Sequence, residues 1–301
     1  MTGGSGLLAL NWACAIRGEH DVVLATHTRR VSLAGATTTP LALDDADALT
    51  REFQRIAPEV IVHTAGLTSV EDCEHDPALA QHANADLARN VARAAARSGA
   101  RLIHISTDHL FAGKRAFYTE TDIPEPLNVY ARTKLLAEEW VREENAHALL
   151  VRTNFFGWGH RLRQSFSDWI YYNLRAGTTL TMFDDVFITP IIADRLAIHA
   201  HRLLALGASG IHNIVGEERV SKYDFGVQLA DAFELTRSLL IPAKIAASNL
   251  SAKRPPDMSL DNAKARERLG SSLGSVAEFL ELLQSQERAG RRGELRAAVT
   301  E

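Results

Sequence analysis

At 301 residues, 46% of them apolar and 23% charged, the chain can bury one large α/β domain, or a nucleotide-binding domain carrying a smaller lobe. A formal net charge of −4 and a pI near 6.3 exclude the basic footprint of a nucleic-acid-binding protein. Two cysteines, Cys14 and Cys73, imply no disulfide framework, no apolar run reaches the ~18 residues of a membrane helix, and no leader pattern opens the chain, so a soluble cytoplasmic enzyme is expected.

In chain order, Thr2-Gly3-Gly4-Ser5-Gly6-Leu7 is a glycine turn that runs straight into an apolar helix over 7–16. Gly3 permits the tight turn, Gly6 lets the backbone approach a pyrophosphate, and the helix N-terminus supplies N–H donors. Ala9 stands where a third glycine is usual and still allows close helix packing. The strand that should precede such a turn is missing, with Met1 in the place of its last residue. This predicts a gap between the strands 22–25 and 60–63, as from a start placed too late.

A strand over 21–26 follows, then a weak strand near Leu41 and a helix from Asp45 ended by Pro58, with Leu49, Phe53 and Ile56 at helical spacing. Residues 60–63 read as a buried strand, 78–97 as one long helix stopped at Gly99, 102–105 as a strand, 129–144 as a helix and 148–151 as a strand. This alternation predicts βαβ units and a parallel sheet. From about residue 155 the rhythm loosens into aromatic loops, helices near 168–175, 193–206 and 221–233, and short strands near Leu180 and Ile211. Ser221 with Asp224 signals a helix cap, Lys253 to Pro256 must be an extended loop, and the charged tail 286–301 is expected to be frayed or solvated. Residues 1–154 therefore read as a dinucleotide-binding domain and 155–301 as a mainly substrate-binding lobe, partly interleaved with it.

The chemistry gathers in Ser106-Thr107-Asp108 and in Tyr130 and Lys134, four residues apart on one helical face. A phenol with a pKa near ~10 is a poor acid or base at neutral pH, and an ammonium nearby is expected to lower that value. With a strand-end hydroxyl holding a carbonyl oxygen, the set suits carbonyl reduction beside a nicotinamide. A Tyr-x-x-x-Lys pair alone also arises by chance in many helices; joined to the glycine turn and the strand-end Ser-Thr, the functional reading is much the better one.

The segments TGGSGLL at 2–8, HTAGLTSVEDCEHDP at 63–77, ISTDHLFAG at 105–113, PLNVYARTK at 126–134, VRTNFFGWG at 151–159 and KRPPDMSLDNAKARERLG at 253–270 together resemble the extended short-chain dehydrogenase/reductases, within them the dTDP-4-dehydrorhamnose reductase-like group. The resemblance implies a Rossmann-type doubly wound parallel sheet with a small C-terminal substrate lobe. It makes Thr107 the catalytic hydroxyl with Ser106 as its neighbour, Tyr130 the acid, and Lys134 the tyrosine tuner and nicotinamide-ribose ligand. Gly3, Ser5, Gly6, Leu7, Arg29, Ala65 and Gly66 would line the cofactor, and Asn84 would be a structural or relay asparagine. Thr68, Asp108, His109, Asn154 and Arg254 would face a nucleotide-sugar substrate.

The same resemblance separates reaction types. Dehydratases of this superfamily carry Asp-Glu after the threonine, fucose-type epimerase-reductases a cysteine, and rhamnose-type reductases usually a tyrosine; this chain has His109 there. Reduction of a 4-keto nucleotide-sugar in deoxysugar or polysaccharide synthesis is the reading this favours. A dehydratase or epimerase, or a non-catalytic NADP-binding regulatory subunit resembling that of methionine adenosyltransferase, stays as the alternative. Thr26-His27-Thr28-Arg29-Arg30 offers no acid at the end of the second strand, which favours NADP over NAD unless the arginines are only a solvated loop. A homodimer stays open. The twelve histidines show no metal-ligand spacing; His199 and His201 point away from each other on a helix. Asp44, Asp45 and Asp47 read as a helix start, Trp12, Trp140 and Trp169 as packing, and Cys73 as a small apolar filler, with Trp158 and Trp169 in the presumed substrate lobe.

Overall fold

A computed structural model describes residues 1–248 and 250–300. Four parallel strands stand side by side in the order Gly210–Asn213, Leu149–Arg152, Arg101–Ile105 and Val60–His63. The three strands Leu149–Arg152, Arg101–Ile105 and Val60–His63 are mostly apolar because helices cover both faces. Alternation along each strand divides the side chains: Val62, Ile103 and Val151 join one core, while Ile61, Leu102 and Leu150 join the other.

Val22–Thr26 and Ala36–Pro40 pair in parallel beyond the Val60–His63 strand. Met1 and Thr2 lie between the two groups. Thr2 N–H donates to Val62 O at 3.0 Å, Ala25 N–H donates to Met1 O at 2.8 Å, and Thr2 bridges Ala25 and His63. The strands expected to lack a common neighbour thus share these residues at their carboxyl ends. The strand expected near Leu41 lies just before it, at Ala36–Pro40.

Helices Leu7–Ile16 and Ala193–Ala205 pack together on one face of the sheet. On the other lie Ala46–Ile56, Leu87–Ser98 and Val129–Glu144. The first of these starts on Asp45, whose carboxylate accepts the N–H groups of Asp47 and Ala48, and it ends at Ala57 just before Pro58. Buried Ala88, Ala92 and Ala95 let Leu87–Ser98 approach its neighbours closely, and Gly99, at φ 78°, closes it. The single helix expected over 78–97 is interrupted. Pro77–Gln81 runs into a π-turn at His82–Asp86 before the α-helix resumes at Leu87. The wider turn holds Asn84, whose side chain bonds to groups outside the helix.

The later half adds the pair Leu180–Phe183 and Leu240–Ala243, and the helices Phe166–Arg175 and Lys222–Ala232, both capped by serine. The tail corrects the expectation of a frayed or solvated end. Val276–Arg288 and Arg291–Ala297 are helical, Val299–Thr300 pairs with Arg30–Val31, and Gln286, Leu295, Ala298 and Val299 are buried. Two of its charges find partners on the body of the protein: Glu294 binds Arg17, and Arg291 lies 3.5 Å from Asp194.

Candidate active site

The glycine turn sits at the carboxyl ends of the central strands, and its backbone is packed against theirs. A Cβ on Gly3 (φ 70°) would meet Ala65 N at 2.7 Å, and one on Gly4 would meet Ala25 O at 2.9 Å. Gly6 donates to Gly3 O at 2.8 Å and caps Leu7–Ile16 without any side-chain acceptor, which leaves first-turn N–H groups for a ligand. Beside the turn runs a groove of about 300 Å³ lined by Gly3, Ser5, Thr26, Asp44, Ala65 and His82, among others. The glycine turn gives this groove bare backbone and a helix N-terminus along one side, facing apolar Leu41, Leu43 and Leu87, so the residues present fit a dinucleotide. Gly66 adjoins Ala65, and a Cβ there would strike Asn84 Oδ1 at 2.7 Å. Asn84 Oδ1 accepts Leu67 N–H at 2.8 Å and its Nδ2 donates to Thr133 Oγ1 at 3.0 Å, a structural role. Arg29 is exposed and lies outside the groove lining, with its charge felt by His160.

Ser106 and Thr107 follow the Arg101–Ile105 strand, and the structure separates them. Ser106 Oγ donates to Glu138 Oε1 at 2.6 Å, and the same carboxylate takes a bidentate contact from buried Arg152. Thr107 Oγ1 accepts His109 N–H at 3.2 Å, lies 3.3 Å from Asp108 Oδ1 and is in hydrogen-bonding reach of the Tyr130 phenol. Asn128 places Tyr130 and Lys134: its Oδ1 caps Val129–Glu144 on Ala131 N–H, while its Nδ2 holds Lys253 O at 2.9 Å.

The expected lowering of the Tyr130 pKa is not what the structure gives. Enclosure of the phenol pushes it up to about 12, opposed by the Thr107 hydroxyl. The Lys134 ammonium donates instead to Ile105 O at 2.7 Å, and burial pulls its pKa down to about 8. In this state the lysine is fixed by a carbonyl, and desolvation of the ring outweighs the attraction expected from a neighbouring cation.

Opposite this pair, Asp108 is buried, and burial raises its pKa to about 6 against the Asn154 hydrogen bond (Nδ2 to Oδ2, 2.6 Å) and the Lys222 charge. The His109 ring stands edge-on to Tyr130 with centroids 5.6 Å apart, and burial holds its pKa down to about 3. Thr68 accepts the Arg163 guanidinium, and Arg254 is bound to Glu71. Of the five residues expected on the substrate side, Asp108 and His109 adjoin the Thr107–Tyr130 pair and Asn154 reaches it through Asp108, while Thr68 and Arg254 are held by Arg163 and Glu71. Trp158 stands apart: it is wholly buried against Tyr171 and Phe233 and packs the core.

Lys222, Arg163, Glu138 and His82 escaped the reading of the sequence. Lys222 is the first residue of its helix, after the Ser221 cap, and only that cap was legible. Glu138 lay one turn beyond Lys134 on the same helical face, a signal that was available. Asp44 was legible as part of a helix start, but the groove and its pairing with His82 (3.1 Å) were not. Among the described residues no group of three or more metal-ligating side chains occurs, and no helix is long and apolar enough to cross a membrane.

Residues 1–286 match the family model described as the RmlD substrate binding domain. The chain is 27% identical to the probable low-salt glycan biosynthesis reductase Agl14 of Haloferax volcanii over 290 residues, 95% of this chain and 96% of that one. It is 31% identical over 233 residues to methionine adenosyltransferase 2 subunit beta of Rattus norvegicus, covering 75% of this chain and 69% of the other. A crystal structure of a hypothetical dTDP-4-dehydrorhamnose reductase from Sulfolobus tokodaii superposes with a TM-score of 0.79 at 30% identity, over 91% of this chain and 95% of that one.

Proposed function

The chain belongs to the family of the RmlD substrate binding domain, and from that premise we propose that it is an NADPH-dependent reductase of a 4-keto nucleotide-sugar serving glycan or polysaccharide synthesis. The observation that carries the reading is the convergence of Thr107, Tyr130 and Lys134 at the strand ends beside a bare-backbone dinucleotide groove. The resemblance to reductases of glycan synthesis supports it.

The nicotinamide, when bound, supplies the hydride. Thr107 Oγ1, held in the structure only by a long contact to Asp108 and by the Tyr130 phenol, turns its proton to the carbonyl oxygen when substrate binds. Tyr130 delivers its phenolic proton to that oxygen as the carbon takes the hydride, which leaves an alcohol and a phenolate. A phenol held near 12 stays protonated at neutral pH, so the donor is loaded before each turnover. Lys134, one turn along the helix, stabilises the phenolate when it forms and reaches the nicotinamide ribose. Residues 155–301 form the wall of the sugar site, through Arg163, Lys222 and Arg254. Buried free Cys14 and Cys73 suit a reducing cytoplasm.

The test is NADPH oxidation with a panel of 4-keto nucleotide-sugars, in the native protein and in Tyr130→Phe. The variant should lose about 10²–10⁴-fold in kcat while keeping its affinity for NADPH. A second reading, a non-catalytic NADP-binding subunit, is favoured by the similarity to methionine adenosyltransferase 2 subunit beta. Tight NADPH binding with no oxidation across the panel would select it.

A further inference from the structure

We infer that Arg163 is a ligand of the cofactor's diphosphate, carried to the glycine turn on a strap formed by residues 157–163; this rests on the dinucleotide-binding part of the reading above. The strap and the turn belong to one closed ring of contacts. Gly3 abuts Ala65, whose N a Cβ on the glycine would meet at 2.7 Å. Three residues on, Thr68 Oγ1 accepts the Arg163 guanidinium. Arg163 and His160 exchange backbone hydrogen bonds at 2.9 and 3.0 Å, which makes 160–163 a tight loop. Trp158 O, just before that loop, accepts Asn11 Nδ2 at 2.7 Å, and the same amide donates to Leu7 O at 2.9 Å. Leu7 opens the helix that the turn feeds, so the ring closes on itself. Between Gly3 and Asn11 it carries the first-turn N–H groups that no side chain caps.

The Arg163 side chain is mismatched with what it holds. It is exposed, and among the described residues its guanidinium has no ion pair, only the neutral Thr68 hydroxyl. Arg254, by contrast, is bound to Glu71, and Arg219 to Asp257. A planar guanidinium makes paired, charge-assisted hydrogen bonds to phosphate oxygens, and these outweigh one bond to a hydroxyl. The base of the side chain is fixed. Asp168 Oδ2 accepts the N–H of Gly159 and, at 3.0 Å, that of Ser165, so both shoulders of the strap are pinned to the helix Phe166–Arg175. Only the side chain has to turn from Thr68 to the diphosphate. A second donor points the same way. His160 is 2% exposed, and its Nδ1 accepts Leu162 N–H at 3.3 Å. Burial lowers its pKa, so at neutral pH the ring is uncharged and its proton sits on Nε2. That nitrogen has no hydrogen-bond partner among the described residues, and the ring stands beside the Ser5 backbone of the turn. A buried N–H donor without an acceptor suits a phosphate oxygen. The substrate's own diphosphate is the competing anion, and the ring of contacts favours the cofactor because it runs through the turn.

Three variants test this. Arg163→Met keeps the bulk of the side chain without its charge, Arg163→Lys keeps the charge, and Thr68→Val removes the hydroxyl that holds the guanidinium. Dissociation constants for NADPH and NADH are measured on the full chain at two ionic strengths, and those for dTDP, UDP and GDP on the NADP-saturated protein. Arg163→Met should weaken NADPH and NADH alike, about 10–100-fold, and lower the salt dependence of both, with partial rescue in Arg163→Lys. The nucleoside diphosphates should bind as before. Thr68→Val should weaken neither dinucleotide, because its hydroxyl only holds the guanidinium until the diphosphate takes it. A loss in Thr68→Val as large as in Arg163→Met would reduce Arg163 to a structural latch and overturn the inference. Weakening of NADPH alone would place the arginine on the 2′-phosphate, and equal or greater weakening of the nucleoside diphosphates would place it on the substrate. Unchanged constants would leave it solvated, and each of these results overturns the inference as well. The expected split without turnover of any 4-keto nucleotide-sugar would overturn the reductase reading alone. No binding of either dinucleotide to the native protein would overturn both.

Discussion

Ser106 Oγ lies 2.6 Å from Glu138 Oε1 in the buried interior, and this bond decides which of two adjacent hydroxyls is free for chemistry. Ser106→Ala removes one donor from a carboxylate still held by Arg152, so it should cost about 1–2 kcal/mol of stability and leave kcat within a few-fold. Thr107→Val removes the hydroxyl aimed at the carbonyl oxygen and should lower kcat about 100-fold. Steady-state turnover of both variants decides the matter. A loss in Ser106→Ala as large as in Thr107→Val would refute the assignment.

Glu138 carries a structural prediction of its own. It and Arg152 are each only 2% exposed, and among the described residues Arg152 Nη1 has no hydrogen-bond partner. Glu138→Leu leaves the guanidinium buried without its counter-charge and should cost about 3–5 kcal/mol in urea unfolding. Adding Arg152→Met should recover most of that loss, because the desolvation penalty goes with the charge.

Two histidines at the carboxyl ends of neighbouring strands predict how the fold fails in acid. His63 and His104 are paired in register and stacked at 5.4 Å, and among the described residues neither ring nitrogen of His104 has a hydrogen-bond partner. Burial holds His63 down to about 3, and His104 is held well below its usual value, chiefly by burial with Lys134 next. Below pH 6.5 the unfolded chain therefore binds protons that the folded rings refuse, and stability falls as pH drops toward 3. At about pH 5 the His63 site alone accounts for roughly 2 kcal/mol. Urea midpoints measured from pH 7 to pH 5 should fall, and His104→Leu should flatten the decline. An unchanged slope in that variant would exclude His104 as a contributor.

The sheet and the spacing of the proposed catalytic set were legible because both are local patterns. Val60–Val62 and Leu149–Val151 are short unbroken apolar runs, and Tyr130 and Lys134 share one helical face through their spacing alone. Asn84 shows where local reading stops: helical periodicity carries straight through 78–97, and only tertiary bonds to Leu67 and Thr133 reveal the π-turn. The tail fails for a related reason. Its high charge looks solvated until Arg17 and Asp194, far away in sequence, are seen to pair with Glu294 and Arg291. Lys222 belongs with these cases, since nothing in a capped amphipathic helix tells that its first side chain lies over the Phe166 ring.

Cofactor preference can be tested at Arg29. The strand Val22–Thr26 ends without an acid, and the acid that does line the groove, Asp44, lies 3.1 Å from the His82 ring. Arg29 is exposed and, among the described residues, has no ion pair, so its guanidinium is available to a 2′-phosphate approaching from solvent. Arg29→Ala should weaken NADPH about tenfold, leave NADH nearly unchanged, and reduce the salt dependence of NADPH binding. Arg29→Asp should go further and bring NADH level with NADPH, because a carboxylate repels the phosphate and accepts the ribose 2′-hydroxyl. Dissociation constants from fluorescence titration at two ionic strengths measure both effects. If the ratio of NADPH to NADH affinity stays constant through the series, the 2′-phosphate does not contact Arg29 and the arginine is an ordinary solvated side chain.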